Sequence, residues 1–202
     1  MSSRGAGVPR LAVARQSGGI TRRSTVRAKT VRQGVLRYAV SWAMGLAEIA
    51  EATSAEDFTA GRILIEEYAA TLGVDLCFQN FSEEIANLAI IYGPPRGCLL
   101  FARNNKELAG CVAVRNQTTT VCEMKRLYVR PRYRGMGLGR LLAVSAIGRA
   151  QQLGYSRIVL DTLPNMTEAH SLYKSLGFRE VEGYYQNPVG GVRYLARGLV
   201  TQ

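Results

Sequence analysis

Four arginines and three glycines crowd the run Leu127-Tyr128-Val129-Arg130-Pro131-Arg132-Tyr133-Arg134-Gly135-Met136-Gly137-Leu138-Gly139-Arg140-Leu141-Leu142. An apolar, β-branched and aromatic stretch stops at a proline, a basic glycine-rich loop follows, and the chain passes into apolar helical sequence. Glycine lets the backbone come close to a ligand, and the first-turn amides of a helix have no partners within it. With Arg134 and Arg140 adding charge, these features predict a socket for phosphate or pyrophosphate.

The spacing narrows the ligand. A phosphate loop of the nucleotide-hydrolase type ends in Gly-Lys-Ser/Thr, and neither the lysine nor the hydroxyl is here. A dinucleotide fingerprint needs Gly-x-Gly-x-x-Gly, but Leu142 stands where the third glycine would follow Gly137 and Gly139. What remains, Arg134-x-x-Gly137-x-Gly139, resembles the acyl-CoA pyrophosphate loop of the GNAT superfamily of N-acyltransferases. Downstream, Ala169-x-x-Leu172-Tyr173-x-x-x-Gly177-Phe178 reads as a helix with a glycine stop before a strand. It resembles the second cofactor-binding block of the same superfamily. The resemblance covers residues 46–200. One position departs from it: many members place an asparagine seven residues before the tyrosine, where this chain has Met166, with Asn165 one step earlier.

The resemblance implies an α/β fold, a central mixed sheet with helices on both faces, and acetyl-CoA as co-substrate. It places the pantetheine arm against the backbones of Leu127, Tyr128 and Val129. The pyrophosphate falls against Arg134, Gly135, Met136, Gly137, Leu138, Gly139 and Arg140, with further contacts from Asn165, Ala169 and Tyr173. The implied reaction is direct acetyl transfer to a primary amine of a small metabolite, peptide or protein in a ternary complex. Such a transfer needs the thioester held, the ammonium deprotonated and the departing thiolate neutralised. Tyr173 is the candidate acid, by its place in the motif; the alternative is a core tyrosine on an amphipathic helix. Glu123 is the candidate base, since strict alternation puts Glu123, Lys125, Leu127 and Val129 on one strand face; the alternative is a salt bridge to Lys125 or another basic side chain on that face. The fold nominates Tyr68, Phe78, Phe81, Tyr184, Tyr185 and Asn187 for the acceptor pocket. A non-catalytic acyl-CoA-binding module is the competing function, although such a module needs neither Tyr173 nor Glu123.

The elements that must position these groups can be read in order. A strand is expected at Leu46–Ala52. A helix follows from the Thr53-Ser54-Ala55-Glu56 capping spacing to Gly73, then an irregular Val74–Phe81 connection. A second helix starts at Ser82 and stops before Gly93-Pro94-Pro95. Strands Cys98–Arg103 and Leu108–Arg115 flank a turn at Asn104–Glu107, and a long strand runs from Thr119 to Val129. The helix after the glycine loop runs from Leu138 to Leu153. Then come an Arg157–Thr162 strand, a Thr167–Leu176 helix, and strands at Phe178–Tyr185 and Val192–Leu199.

Composition sets the boundaries. The chain has 202 residues, 47% of them hydrophobic, enough for one sizeable core. No apolar run approaches the roughly 18 residues that cross a bilayer, so no membrane span is expected. Cys77, Cys98, Cys111 and Cys122 form no C-x-x-C pair and read as buried free thiols. His170 is the only histidine, so no metal site is expected and a solvated helix face is the simpler role. The net charge of +11 divides unevenly: of 26 basic residues, nine lie within residues 1–45 beside no acid, leaving 17 against 15 acids. The domain is therefore near neutral, and nucleic acid is not an expected partner for it. Residues 1–44 read as a basic extension and residues 45–202 as the catalytic domain. The extension is open to three readings: a transit peptide, a basic arm, or sequence upstream of a start at Met44. Residues 34–44 carry enough apolar side chains for a short helix. A cytoplasmic monomer or homodimer is the simplest expectation.

Overall fold

The computed structural model describes residues 25–30, 36–42, 45–73 and 80–200. Its elements run β1 (Thr25–Thr30), β2 (Leu36–Trp42), β3 (Gly45–Glu51), α1 (Ala55–Leu72), α2 (Phe81–Ala86), α3 (Leu88–Tyr92), β4 (Cys98–Asn104) and β5 (Glu107–Asn116). They continue with β6 (Val121–Val129), a 3-10 turn at Pro131–Tyr133, α4 (Leu138–Gln152), β7 (Arg157–Thr162), α5 (Thr167–Ser175), β8 (Arg179–Val181) and β9 (Arg193–Gly198). The strands form one sheet in the order β1-β2-β3-β4-β5-β6-β7-β9-β8. Neighbours are antiparallel except β6 and β7, which run parallel. A parallel pair needs a long crossover, and α4 supplies it.

Each face of the sheet carries its own core. Cys98, Leu100, Val112, Val114, Cys122 and Met124 pack beneath α4 and α5, against Leu142, Ala146, Tyr173 and Leu176. Leu99, Phe101, Cys111, Ala113 and Tyr128 point the other way, against Leu64 and Ile65 of α1 and Tyr92 of α3. Alternate residues of one strand thus feed opposite cores. Leu64, Ile65 and Leu142 are fully buried, each worth about 1.5–3 kcal/mol of apolar transfer. At Gly61 a β-carbon would stand 2.4 Å from Leu99 Cδ2, so the glycine sets how closely α1 lies on β4.

Several local expectations move. The capping box of α1 sits one residue later than its expected Thr53…Glu56 spacing: Asp57 N donates to Ser54 Oγ at 3.1 Å and Ser54 N donates to Asp57 Oδ2 at 3.1 Å. The expected second helix is two, broken at Asn87, and the strand expected through Tyr185 ends at Val181. Residues 36–42 form a strand rather than a helix and pair with β3. Cys77 and Phe78 lie outside the described residues. Cys98, Cys111 and Cys122 are free and buried, and burial pushes the thiols of Cys111 and Cys122 up to about 12.

Candidate active site

The two parallel strands share only a short ladder. Val121, Cys122 and Glu123 of β6 pair with Arg157, Ile158 and Val159 of β7. Beyond Glu123, β6 follows β5 as far as Val129, while β7 stays with β9. The strands part, and the β7-facing backbone of Met124–Val129 turns toward the gap. A bulge sits at the same place. Cys111 pairs with Tyr128 and Ala113 with Lys125, so two residues, Arg126 and Leu127, oppose Val112. Arg126 takes φ +58° there, a left-handed conformation rarely adopted by residues with a β-carbon. Close approach is secured by Gly110, where a β-carbon would lie 2.3 Å from the Tyr128 carbonyl oxygen.

The bulge corrects the expected strand face. Glu123 and Lys125 point to the α1–α3 side, but one extra residue reverses the alternation. Leu127 and Val129 then pack toward the α4 core, and Tyr128 joins the α1 core. Glu123 therefore does not share a face with Leu127 and Val129.

The glycine loop closes one end of the gap. Gly135 and Gly137 hold φ of +74° and +78°, a region that costs glycine little. Gly137 is the N-cap of α4 and makes no side-chain capping bond, so no side chain covers the first-turn amides. A β-carbon at Gly135 would meet nothing within 4 Å; the cradle is open. Arg134 Nε donates to the Val129 carbonyl at 3.1 Å, pinning the loop to the strand end. A pyrophosphate fits this donor set: exposed amides, a helix N-terminus and an adjacent guanidinium.

Strand gap and loop belong to one cleft of about 830 Å³, lined among others by Tyr68, Leu127, Tyr128, Val129, Arg134, Gly135, Gly137, Leu138, Gly139, Asn165, Ala169 and Tyr173. Two of the residues expected at the cofactor are not on its wall. Met136 packs on the α4 core, and Arg140 Nη1 donates to Ser175 Oγ at 2.8 Å. Tyr173 is only 7% exposed, and its ring packs edge-on against Phe178. Burial, with the Asp161 charge adding to it, pushes its phenol well above the ordinary value. It therefore keeps its proton at neutral pH. Burial likewise pushes Tyr68 up to about 12.

Glu123 is fully buried and does not line the cleft. It accepts hydrogen bonds from Arg115 Nε at 2.6 Å, Gln117 Nε2 at 3.2 Å and Tyr184 Oη at 2.8 Å. Lys125 Nζ stands 3.9 Å away. The remaining acceptor candidates join this second layer. Phe81 lies under the Arg126 guanidinium at 5.2 Å. Tyr185 donates to Asp161 Oδ2 at 2.8 Å and accepts from Asn187 Nδ2 at 2.9 Å. His170, expected on a solvated face, is half-buried with Nε2 3.0 Å from the Leu163 carbonyl oxygen.

Sequence reasoning did not nominate Asp161, Lys125 or Arg126, three further charged residues that line the cleft. Lys125 and Arg126 border it from β6, and Asp161 faces them from β7. Arg126 is bound to Glu84 through Nε at 2.7 Å and Nη2 at 2.6 Å. Burial would raise Glu84, but the Arg126 bonds and charge hold it below the ordinary carboxylate value. Burial lowers the Lys125 ammonium, against the pull of Glu123 and Asp161. The usable signal for Asp161 was its place at the end of a strand running parallel to β6.

The acetyltransferase (GNAT) family model matches residues 62–178. An N-acetyltransferase of Schizosaccharomyces pombe is 47% identical over 142 residues, covering 69% of this chain and 87% of that protein. The N-acetylaspartate synthetase of Xenopus tropicalis is 38% identical over 88 residues, or 43% of this chain and 32% of that protein. A GNAT family acetyltransferase from Elizabethkingia anophelis, solved with acetyl-CoA bound, has a TM-score of 0.56 at 20% identity over 76% of this chain and 98% of that one. The parted strands, the glycine cradle and these matches lead to one conclusion: the chain belongs to the GNAT family and is an N-acetyltransferase.

Proposed function

We propose that the protein transfers an acetyl group from acetyl-CoA to the primary amine of a small metabolite, by direct attack in a ternary complex. The observation that carries this reading is a single cleft lined by the glycine cradle, the parted β6 strand and Tyr173. Acetyl-CoA, when bound, supplies an activated acyl carbon and a thiolate leaving group. The loop amides and Arg134 receive the pyrophosphate. The β6 backbone beside Leu127, Tyr128 and Val129 holds the pantetheine arm, and its fixed amides stabilise charge at the thioester oxygen, one such donor being worth a few kcal/mol. Similarity to a protein named for making N-acetylaspartate favours a small metabolite over a protein amine.

A carbon–nitrogen bond forms as the carbon–sulfur bond breaks. Before attack the ammonium gives one proton to Asp161, which passes it on to solvent. The second nitrogen proton, lost as the amide forms, restores the one that Tyr173 gives to the thiolate, so one proton is released overall. Tyr173 is the donor to sulfur. Asp161, a carboxylate on the cleft wall beside the strand gap, receives the acceptor's proton directly or through one water. Glu123, behind that wall and held by Arg115, Gln117 and Tyr184, positions Lys125 instead.

Release of free thiol from acetyl-CoA, followed across a panel of amines, tests the activity. Tyr173→Phe preserves packing and should keep acetyl-CoA affinity by calorimetry while lowering the maximal rate about 10²–10⁴-fold. Undiminished turnover in that variant would return Tyr173 to a packing role. Acetyl-CoA binding without turnover of any amine would favour the non-catalytic module.

A further inference from the structure

Residues 182–192 connect β8 to β9, and two consecutive tyrosines in that connection reach two different strands. Tyr184 Oη donates to Glu123 on β6 and Tyr185 Oη donates to Asp161 on β7, both at 2.8 Å. Glu123 stands in the last pair of the parallel ladder, opposite Val159, and Asp161 follows Val159 by one pleat. The two bonds therefore bracket the point where the strands part. The loop is built to hold these hydroxyls still. The rings of Tyr184, Tyr185 and Tyr194 pack on one another with centroids 5.2–5.5 Å apart. A β-carbon at Gly183 would lie 3.0 Å from the Tyr194 ring, and Tyr194 Oη donates to the Tyr185 carbonyl at 2.9 Å. Tyr185 and Asn187 do not line the cleft, whereas Asp161 does, so any effect of theirs on the reaction passes through that carboxylate.

Resting on the acetyltransferase reading with Asp161 as its base, we propose that Tyr185 is a positioning residue for Asp161, set as a donor by Asn187. The direction of the chain follows from its far end. The Val189 amide donates to Asn187 Oδ1 at 3.0 Å, and a backbone N–H can only donate. It therefore selects the oxygen of the Asn187 side chain and turns Nδ2 toward Tyr185 Oη, 2.9 Å away. The Tyr185 oxygen accepts there, and its own proton goes to Asp161 Oδ2. Burial and the Asp161 charge push the Tyr185 phenol up, so it remains a donor across the working pH range. A bond to the charged form favours that form, which keeps the carboxylate ionised and ready to accept a proton. It also commits Oδ2 and leaves Oδ1 for the acceptor ammonium, in the one orientation that a rotating carboxylate would otherwise sample only part of the time.

The test is a double-mutant cycle in the full-length protein, read by free-thiol release with one working amine. Tyr185→Phe keeps the ring and should lower kcat about tenfold, the loss expected for one hydrogen bond to a charged group. Its KM for acetyl-CoA and its calorimetric acetyl-CoA affinity should stay within about twofold. Asp161→Asn should lower kcat about 10²-fold or more. Adding Tyr185→Phe to Asp161→Asn should change kcat less than about twofold, because the tyrosine then has no carboxylate to act through. Asn187→Ala leaves the three packed rings in place. It should lower kcat about threefold in the parent and not at all beside Tyr185→Phe. An equal tenfold loss from Tyr185→Phe in both backgrounds overturns the proposal and makes the tyrosine a loop anchor. So does a Tyr185→Phe variant with the parent's kcat. Undiminished kcat in Asp161→Asn removes Asp161 as base, and this proposal with it, while leaving an acetyltransferase. Acetyl-CoA binding with no amine turned over overturns both the activity and the proposal that rests on it.

Discussion

Two buried carboxylates of similar appearance in the sequence have separate duties, and their partners tell them apart. Glu84 is bound by Arg126 and by the Tyr92 hydroxyl at 2.7 Å, on the floor beneath the bulge. Glu84→Gln leaves the buried guanidinium without its charge partner, a change expected to cost about 3–5 kcal/mol of stability. Because its folded pKa is depressed, the Glu84 contribution is whole above the ordinary glutamate value, about 4.3, and is lost as the pH falls through the lower folded value. Denaturation curves taken from pH 7 downward should show the variant's deficit shrinking below about pH 4. Glu123 is held by three donors, so Glu123→Gln should lower the melting temperature by an amount equivalent to about 1–3 kcal/mol. Its pH–rate profile should keep the parent's shape. Rescue of Glu123→Gln as the pH approaches an amine's own pKa, about 10, would restore that residue to the role of base.

At the scale of elements, the site depends on what β6 does after Glu123. One extra residue in the strand reverses the alternation, and loss of the β7 ladder opens the gap. The glycine loop then sets the first turn of α4 at its end. Gly137 occupies a left-handed N-cap position with no side-chain cap, so Gly137→Asp adds backbone strain and places a carboxylate in the proposed pyrophosphate cradle. Calorimetry should show acetyl-CoA affinity falling at least tenfold, with circular dichroism unchanged. Retained affinity in the folded variant would move the pyrophosphate elsewhere.

For the whole molecule, the cleft lies far along the chain from the basic amino-terminal segment. Its lining begins at Tyr68, whereas β1 and β2 lie at the sheet edge beyond β3. A chain starting at Met44 should keep its acetyl-CoA affinity and lose most salt-sensitive binding to polyanions, because nine basic residues lie within residues 1–45. Unfolding on truncation would make the β2–β3 pairing part of the core and displace the boundary. No helix among the described residues is long and apolar enough to cross a membrane.

The sequence alone carried the order of strands from β3 to β9, the glycine loop and the tyrosine helix. These depend on local chemistry: alternation, capping residues, glycine stops and a proline. The family resemblance also nominated Asn165, Ala169 and Tyr173, and all three line the cleft; Ala169 and Tyr173 lie one turn apart on α5, and Asn165 precedes it. The direction of Glu123 was not legible, since the bulge that reverses the alternation depends on the pairing of Cys111 with Tyr128 and of Ala113 with Lys125. That Asp161 and Lys125 line one cleft was not legible either. They lie 36 residues apart in the chain, and only the parallel pairing of β6 with β7, followed by its failure, sets them across one gap. Local signals write themselves into consecutive residues; a charge pair across a parting of strands exists only once the sheet has formed.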